Sequence, residues 1–166
     1  MRVGAAIDVA APAQLIWAFV TDPTRYLHFM SGITRWEVTS EQDRGLGARY
    51  RTLMRVGSAE VGGLVEIVEC DEPRDLAWTS VTGIDQRGRW RLREIAPARA
   101  RGGRTRVELR MQYGVAGAGV IGWLAEQVAA PAVRENLRRS LHELRRQAEH
   151  EQARAEVAAR RAATAR

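Results

Sequence analysis

Hydrophobic and polar residues alternate along most of this chain. From Val3 to Val9 every second residue is apolar, which predicts a β-strand. After Pro12 the apolar spacing changes to three and four, which predicts a helix ending near Val20, and a second short helix is predicted over residues 24–30. Alternation then returns in runs separated by turn-forming residues, which predicts strands over residues 33–39, 47–56, 60–70, 76–82, 88–95 and 104–115.

Arginine occupies alternate positions in three of these predicted strands. Arg89, Arg91 and Arg93, for example, alternate with Trp90 and Leu92. A sheet with one solvated face and one apolar face has this pattern. The residues predicted to point from the apolar face are Tyr50, Thr52, Met54, Val65, Ile67, Trp90, Leu92, Leu109, Met111 and Tyr113.

A long helix near the C-terminus supplies the cover that such a face needs. From about residue 120, apolar residues recur every three or four positions, among them Leu124, Val128, Leu137, Leu141 and Leu144. The periodicity resumes after Pro131, which predicts a kink there and not an end. Past Gln147 the apolar stripe fades into Ala, Arg and Glu. We therefore expect a ligand-binding domain over residues 1–149 and a helical or disordered tail over 150–166.

The order of these elements is similar to that of a known superfamily. The segments that carry the likeness are APAQLIWAFVTDPTRYLHFMSGI, DEPRDLAW, GRTRVELRMQY and NLRRSLHELRRQAE. The chain resembles the START-related SRPBCC superfamily, of the polyketide cyclase/dehydrase and lipid-transport type, with coenzyme Q-binding relatives. The resemblance implies an α+β helix-grip fold. In that fold a curved antiparallel sheet of about seven strands wraps around the long C-terminal helix, and two short helices follow the first strand.

This fold implies a cavity between the sheet and the C-terminal helix. Its predicted wall is the apolar face above together with Leu124 and Val128 of the helix, and its predicted entrance is formed by Phe29, Trp36 and Trp123. Apolar walls with a few hydroxyls are typical of small-molecule sites. We expect a hydrophobic ligand such as a lipid, a quinone or a polyketide, bound for carriage or sequestration.

Two other functions stay open at this point. The first is an enzyme of the polyketide cyclase/dehydratase type, in which Tyr50, Tyr113 or His28 would transfer a proton. The second is an interaction module that acts through its tail or its basic sheet face. Arg89, Arg91, Arg93, Arg106 and Arg110 share that face and could meet an anionic membrane surface or a carrier protein. Nucleic acid is disfavoured because the aromatic residues alternate onto the opposite face.

Composition narrows the chemistry further. The chain has 166 residues and a net charge of +6, and all 26 of its basic residues are arginine. The lack of lysine excludes Schiff-base chemistry. Net positive charge suits an anionic partner, although a plain effect on solubility explains it as well. No apolar run of membrane-spanning length and no signal peptide is present, so a cytoplasmic location is expected, with a monomer or weak homodimer.

Other motifs point to no cofactor and no metal. Residues 117–122 match G-x-G-x-x-G, but no further strand follows to complete a dinucleotide-binding unit. Cys70 is the only cysteine, and its neighbours Glu69 and Asp71 disfavour a reactive thiolate. The acidic residues around Pro73 are interpreted as a solvated turn, not as a metal site.

Overall fold

The computed structural model describes residues 2–56, 58–96, 102–114 and 119–164, without the side chains of residues 56, 59 and 119–130. Its elements follow the predicted order closely. They are β1 (Arg2–Val9), α1 (Ala13–Val20), α2 (Tyr26–Phe29), β2 (Ile33–Val38), β3 (Arg49–Val56), β4 (Ala59–Asp71), β5 (Asp75–Gly83), β6 (Asp85–Ala96), β7 (Arg104–Gly114) and α3 (Gly119–Thr164).

The seven strands form one antiparallel sheet in the order β1-β7-β6-β5-β4-β3-β2. Strands β2 to β7 pair in chain order, and β1 returns to pair with the last strand, β7, so that Val3 faces Met111 and Val9 faces Thr105. This arrangement places β1 and β2 at the two edges and curves the sheet around α3. The α+β helix-grip fold predicted from the sequence is confirmed.

Helix α3 packs its apolar stripe against the inner face of the sheet. Leu137, Leu141, Leu144 and Ala148, spaced by three and four residues, are all almost fully buried. Pro131 lies inside the helix, as the resumed periodicity predicts. The same buried core includes inward residues of β6 and β7, among them Leu92, Val107 and Leu109. The hydrophobic burial of both faces is therefore the main force that holds the helix on the sheet.

Buried hydrogen bonds fix the short helices on this core. The indole Nε1–H of Trp90 donates to the Tyr26 hydroxyl at 3.1 Å, and that hydroxyl donates to the carbonyl oxygen of Val20 at 2.7 Å. Burial raises the pKa of Tyr26 far above its ordinary value, although the bond from Trp90 opposes the shift. The Tyr26 hydroxyl therefore stays neutral and joins α1, α2 and β6 in one hydrogen-bonded chain.

Polar bonds also attach the α2–β2 turn to α3. The backbone N–H of Ser31 donates to Ser140 Oγ at 2.8 Å, and Gln147 Nε2 donates to the carbonyl oxygen of His28 at 3.0 Å. Gly32 in this turn has a φ of 85°, and a Cβ there would lie 2.5 Å from Asn136 Nδ2. The turn can lie this close to α3 because glycine has no side chain and tolerates positive φ.

The last turns of α3, from residue 150 onward, are mostly exposed and make polar contacts, with Gln152 and Glu156 lying close to Gly102. Arg25 Nη1 lies 3.0 Å from Glu151 Oε2, both being partly exposed, and Val157 is 47% exposed. We expect truncation after Glu149 to lower the free energy of unfolding by less than about 1 kcal/mol, the upper range for surface ion pairs. Urea unfolding measures the change in free energy, and light scattering measures the oligomeric state of the truncated protein. A loss above about 2 kcal/mol, or the disappearance of a dimer, would show that the tail is structural.

Candidate ligand-binding cavity

A cavity opens between the sheet, the α2–β2 turn and α3. The centres of water-sized molecules can occupy about 60 Å³ of it, and its unfilled space is about 650 Å³ when open solvent at its mouth is included. Its walls are formed by Met30, Ile33, Trp36, Thr52, Met54, Val61, Gly62, Trp78, Ile84, Gln86, Met111, Tyr113 and Val133. It therefore lies at the end of the sheet where the β3–β4 and β5–β6 hairpins turn.

Strand alternation and register bring these side chains together. Met111 and Tyr113 are two residues apart on β7, as are Thr52 and Met54 on β3, so each pair shares a face. Strand β2 then places Trp36 directly opposite Thr52. The resulting wall contains sulfur and aromatic groups, which are adaptable and polarisable partners for flat apolar molecules.

Glycines shape two parts of the wall. A Cβ on Gly62 would lie 2.0 Å from the carbonyl oxygen of Thr52, so β3 and β4 can approach this closely only because residue 62 has no side chain. The indole of Trp78 lies against Gly88, its partner on β6, where a Cβ would meet the ring at 1.9 Å. This contact keeps Trp78 close to the sheet and leaves the space beside it open.

The polar atoms of the cavity are few. Thr52 Oγ1 donates a long hydrogen bond, 3.5 Å, to the carbonyl oxygen of Gly63. The indole Nε1 of Trp36 is buried and has no hydrogen-bond partner among the described residues. Gln86 and Tyr113 are partly buried at the rim. All the described side chains that line the cavity are uncharged, so the site suits a molecule that is mainly apolar and carries no formal charge.

The structure divides the residues that were predicted as ligand-binding into two groups. Trp36, Thr52, Met54, Met111 and Tyr113 line the cavity. Phe29, Tyr50, Val65, Ile67, Trp90, Leu92 and Leu109 are almost fully buried in the packed core. The side chains of Trp123, Leu124 and Val128 lie outside the described residues. The division arises because α1 and α2 fill the opposite end of the curved sheet with Ile16, Phe19 and Tyr26.

Several lining residues were not predicted from the sequence. Strand alternation could have identified Trp78, which follows Leu76 by two residues on a predicted strand, and Gln86, which is in phase with Trp90. Val61 and Val133 carried a similar signal, because Val61 is in phase with Val65 on its predicted strand and Val133 lies four residues before Leu137 on the predicted helix. Met30 and Ile84 carried no such signal, because each lies between two elements. Their position depends on how the elements meet in space.

The three candidate proton-transfer residues lie apart from one another. Tyr113 lines the cavity. Tyr50 instead donates its hydroxyl to the carbonyl oxygen of Asp43 at 2.7 Å, and burial raises the pKa of Tyr50 to about 12. His28 lies in a surface groove beside Arg25 and His150. Tyr113 is thus the one member of this trio that lines the cavity.

The outer face of the sheet carries the predicted arginines. Arg89 faces Arg110 and Arg93 faces Arg106 across the β6–β7 pair. Each of the five has a carboxylate partner: Arg89 contacts Glu69, Arg91 and Arg93 contact Asp75, Arg106 contacts Asp8, and Arg110 contacts Glu108. The face is therefore a network of ion pairs and not a bare cationic patch.

Asp75 is the centre of that network. Burial by itself would raise the pKa of this carboxyl, but hydrogen bonds and charge from Arg93 and Arg91 outweigh it, and the pKa lies below its ordinary value. Because the folded pKa is lowered, the stabilisation is present above the unfolded pKa of about 3.9 and is lost as pH falls through the folded pKa.

We expect Asp75→Asn to lower the free energy of unfolding at pH 7 by about 2 kcal/mol, the scale for hydrogen bonds to charged groups. The difference from the unchanged protein should shrink as acid protonates Asp75. Urea unfolding between pH 7 and pH 3 measures this, with Glu108→Gln as the control for an exposed pair worth little. A difference that stays constant with pH would contradict the role given to the Asp75 charge.

Three further observations concern the part of the chain that the structure describes. No group of three His, Cys, Asp or Glu side chains comes together there in a metal-binding arrangement. None of the described helices is both long and apolar enough to cross a membrane. Cys70 is exposed, and burial together with the charges of Glu72 and Asp71 raises the pKa of its thiol.

The architecture and the cavity define a protein of the helix-grip class, and solved structures share this fold. The protein TTHA0849 from Thermus thermophilus superposes with a TM-score of 0.73 at 21% identity, covering 89% of this chain and 97% of that one. The Zhui aromatase/cyclase from Streptomyces sp. R1128 also superposes with a TM-score of 0.73 at 21% identity, covering 90% of this chain and 93% of that one. A START superfamily protein from Mycobacterium smegmatis superposes with a TM-score of 0.62 at 16% identity, covering 88% of this chain and 97% of that one.

The chain belongs to the polyketide cyclase/dehydrase and lipid transport family, whose model matches residues 1–149. The family resemblance predicted from the sequence is thereby confirmed. No curated protein sequence matches this chain. At these identities the solved structures establish the fold alone.

Proposed function

We propose that this protein binds a hydrophobic small molecule in the cavity between the sheet and α3, for carriage or sequestration. The observation that carries the proposal is the cavity itself, whose described walls are methionine, aromatic and aliphatic side chains without a charged group. Membership of a family that includes lipid transport supports the same function.

The character of the wall favours binding over reaction. General acid–base catalysis needs a titratable group within hydrogen-bond reach of the reacting atom, with a pKa near the working pH. Tyr113 is the titratable side chain among the described lining residues, and an ordinary tyrosine has a pKa near 10. A cyclase or dehydratase would have to rely on the Tyr113 hydroxyl, so an enzymatic function is the second candidate.

Native mass spectrometry of freshly purified protein, compared with a denatured control, tests for a bound ligand. Titration with 1-aminoanthracene, an uncharged dye whose fluorescence rises in apolar surroundings, tests the cavity directly. We expect saturable binding with one site per chain. Absence of both a co-purified apolar molecule and saturable dye binding would overturn the proposal.

Tyr113→Phe separates the two functions. If the protein only binds its ligand, the variant should bind 1-aminoanthracene with an unchanged dissociation constant. If a co-purified ligand is converted by the unchanged protein and is not converted by the variant, the enzymatic alternative is correct.

A further inference from the structure

The ion-pair network on the outer face stops before the corner of the sheet where β1 begins and β7 ends. Arg89 is paired with Glu69. Arg87, two residues earlier on β6, has no carboxylate partner among the described residues, and neither has Arg2 on β1. Both side chains are exposed. Two positive charges are therefore left uncompensated at this corner.

Strand register places Gln112 of β7 between the two arginines. Gln112 faces Arg2 across the β1–β7 pair and Arg87 across the β6–β7 pair, and Arg2 Nε donates to Gln112 Oε1 at 3.2 Å. Neighbouring strands are about 4.8 Å apart, so the Cα atoms of the two arginines are about 10 Å apart. Both guanidinium groups can therefore reach a small anion that lies above Gln112.

The surface around Gln112 is concave and carries further donors. One broad depression is lined by residues of β1, α3 and the strands β4 to β7, among them Arg2, Arg87 and Gln112. Arg134 of α3 also lines it and is exposed, and it has no carboxylate partner in the part of the chain that the structure describes. Thr79 faces Arg87 across the β5–β6 pair and adds a hydroxyl. Three arginines, an amide and a hydroxyl thus line one depression.

The carboxylates of this depression already have partners. Glu69 and Glu108 are its acidic members among the described lining residues, and they contact Arg89 and Arg110. The three arginines without such partners therefore give the depression an excess of positive charge. Guanidinium groups bind phosphate through paired, charge-assisted hydrogen bonds, and a phosphate monoester carries close to two negative charges and three acceptor oxygens at neutral pH.

We propose that this depression binds a phosphate monoester, with Arg2 and Arg87 contacting the phosphate and the Gln112 side chain donating between them. Met111, the neighbour of Gln112, lines the hydrophobic cavity, so alternation places Gln112 on the opposite face of the sheet. The phosphate site is therefore a second site, and it does not depend on the proposed function. Two sources present the same chemical group: a soluble phosphate ester and the headgroup of phosphatidic acid.

Glycerol 1-phosphate and glycerate test the preference for phosphate, because both are small hydroxylated molecules that differ in their anionic group. Their dissociation constants are measured by NMR titration of ¹⁵N-labelled protein at pH 8 and low salt, since salt screens exposed charges. We expect saturable shifts of the Gln112 side-chain amide signals with glycerol 1-phosphate, and at least about tenfold weaker binding of glycerate. Equal affinity for the two probes would overturn the recognition of phosphate.

Single substitutions locate the site. Arg2→Gln and Arg87→Gln should each raise the dissociation constant for glycerol 1-phosphate about tenfold, the scale of one hydrogen bond to a charged group. Arg106→Gln is the matched control, because it removes the same charge from the same face, but Arg106 is paired with Asp8 and does not line the depression. It should leave the constant nearly unchanged. A similar rise in all three variants would show attraction by net charge alone and would overturn the site.

Phosphatidylcholine vesicles with and without phosphatidic acid distinguish the two sources. Sedimentation with the phosphatidic acid vesicles that is lost in Arg87→Gln and kept in Arg106→Gln would assign the site to a lipid headgroup. A protein that binds glycerol 1-phosphate but does not sediment with these vesicles takes a soluble ester. If it binds neither glycerol 1-phosphate nor the vesicles, the phosphate site is wrong. Binding of 1-aminoanthracene in the cavity is a separate measurement, so the proposed function would stand or fall on its own.

Discussion

Met54→Arg should abolish binding of uncharged apolar molecules, with an increase of at least about 100-fold in the dissociation constant for 1-aminoanthracene, equivalent to about 2.7 kcal/mol. Met54 lies on β3 at the partly exposed side of the cavity. An arginine there fills the mouth and brings a charge to a wall that has no described carboxylate. The partial exposure of the site lets the guanidinium reach water, so the fold should survive.

Leu53→Arg provides the matched control on the same strand. Leu53 is also partly exposed, but it is the neighbour of Met54 and alternation directs it to the opposite face of the sheet. The Leu53→Arg protein should bind the dye with the same dissociation constant as the unchanged protein. If Met54→Arg binds the dye as well as Leu53→Arg does, and both fold, the ligand does not occupy this cavity.

Trp90→Ala should lower the free energy of unfolding by about 3–5 kcal/mol, a large part of the 5–15 kcal/mol typical of a domain. Trp90 is fully buried at the centre of the inner face. Its removal leaves a void beside Phe29, whose ring lies 6.2 Å away, and removes the hydrogen bond to Tyr26. Chemical unfolding followed by circular dichroism measures the loss.

Tyr26→Phe isolates the hydrogen-bonded part of that contribution. It preserves the ring but leaves the Trp90 N–H and the Val20 carbonyl without their shared partner, which should cost about 1–3 kcal/mol. If Trp90→Ala lowers the free energy of unfolding by less than about 1 kcal/mol, this end of the sheet is loosely packed. The division between a packed end and an open end would then be wrong.

Local sequence patterns were sufficient to predict the elements, because each element carries its own signal, and the helix-grip arrangement came from the family resemblance. The alternation of Arg89, Arg91 and Arg93 with Trp90 and Leu92 identifies both the strand and its inner face. The spacing of Leu137, Leu141 and Leu144 does the same for α3. Turn residues then separate β2 to β7, which favours antiparallel pairing of consecutive strands, but they do not predict the pairing of β1 with β7.

The same patterns could not locate the cavity along the inner face. Alternation distinguishes inside from outside, but it gives Trp90 and Met111 the same assignment. Trp90 is in the packed core and Met111 is on the cavity wall. The difference depends on where α1, α2 and α3 lie above the sheet, which is set by contacts between residues distant in sequence. For the same reason no pattern could show that Tyr50 donates its hydroxyl to Asp43 or that the outer arginines are paired.

The methionine methyl groups offer the most direct test of ligand binding in the cavity. The chain has 4 methionines, and Met30, Met54 and Met111 line the cavity. In protein labelled with ¹³C at the methionine methyls, and assigned with single Met→Leu variants, 1-aminoanthracene should shift these three signals together. The shifts should saturate at one molecule per chain with a common dissociation constant. Saturable binding of the dye that leaves all three signals unmoved would contradict the proposed site.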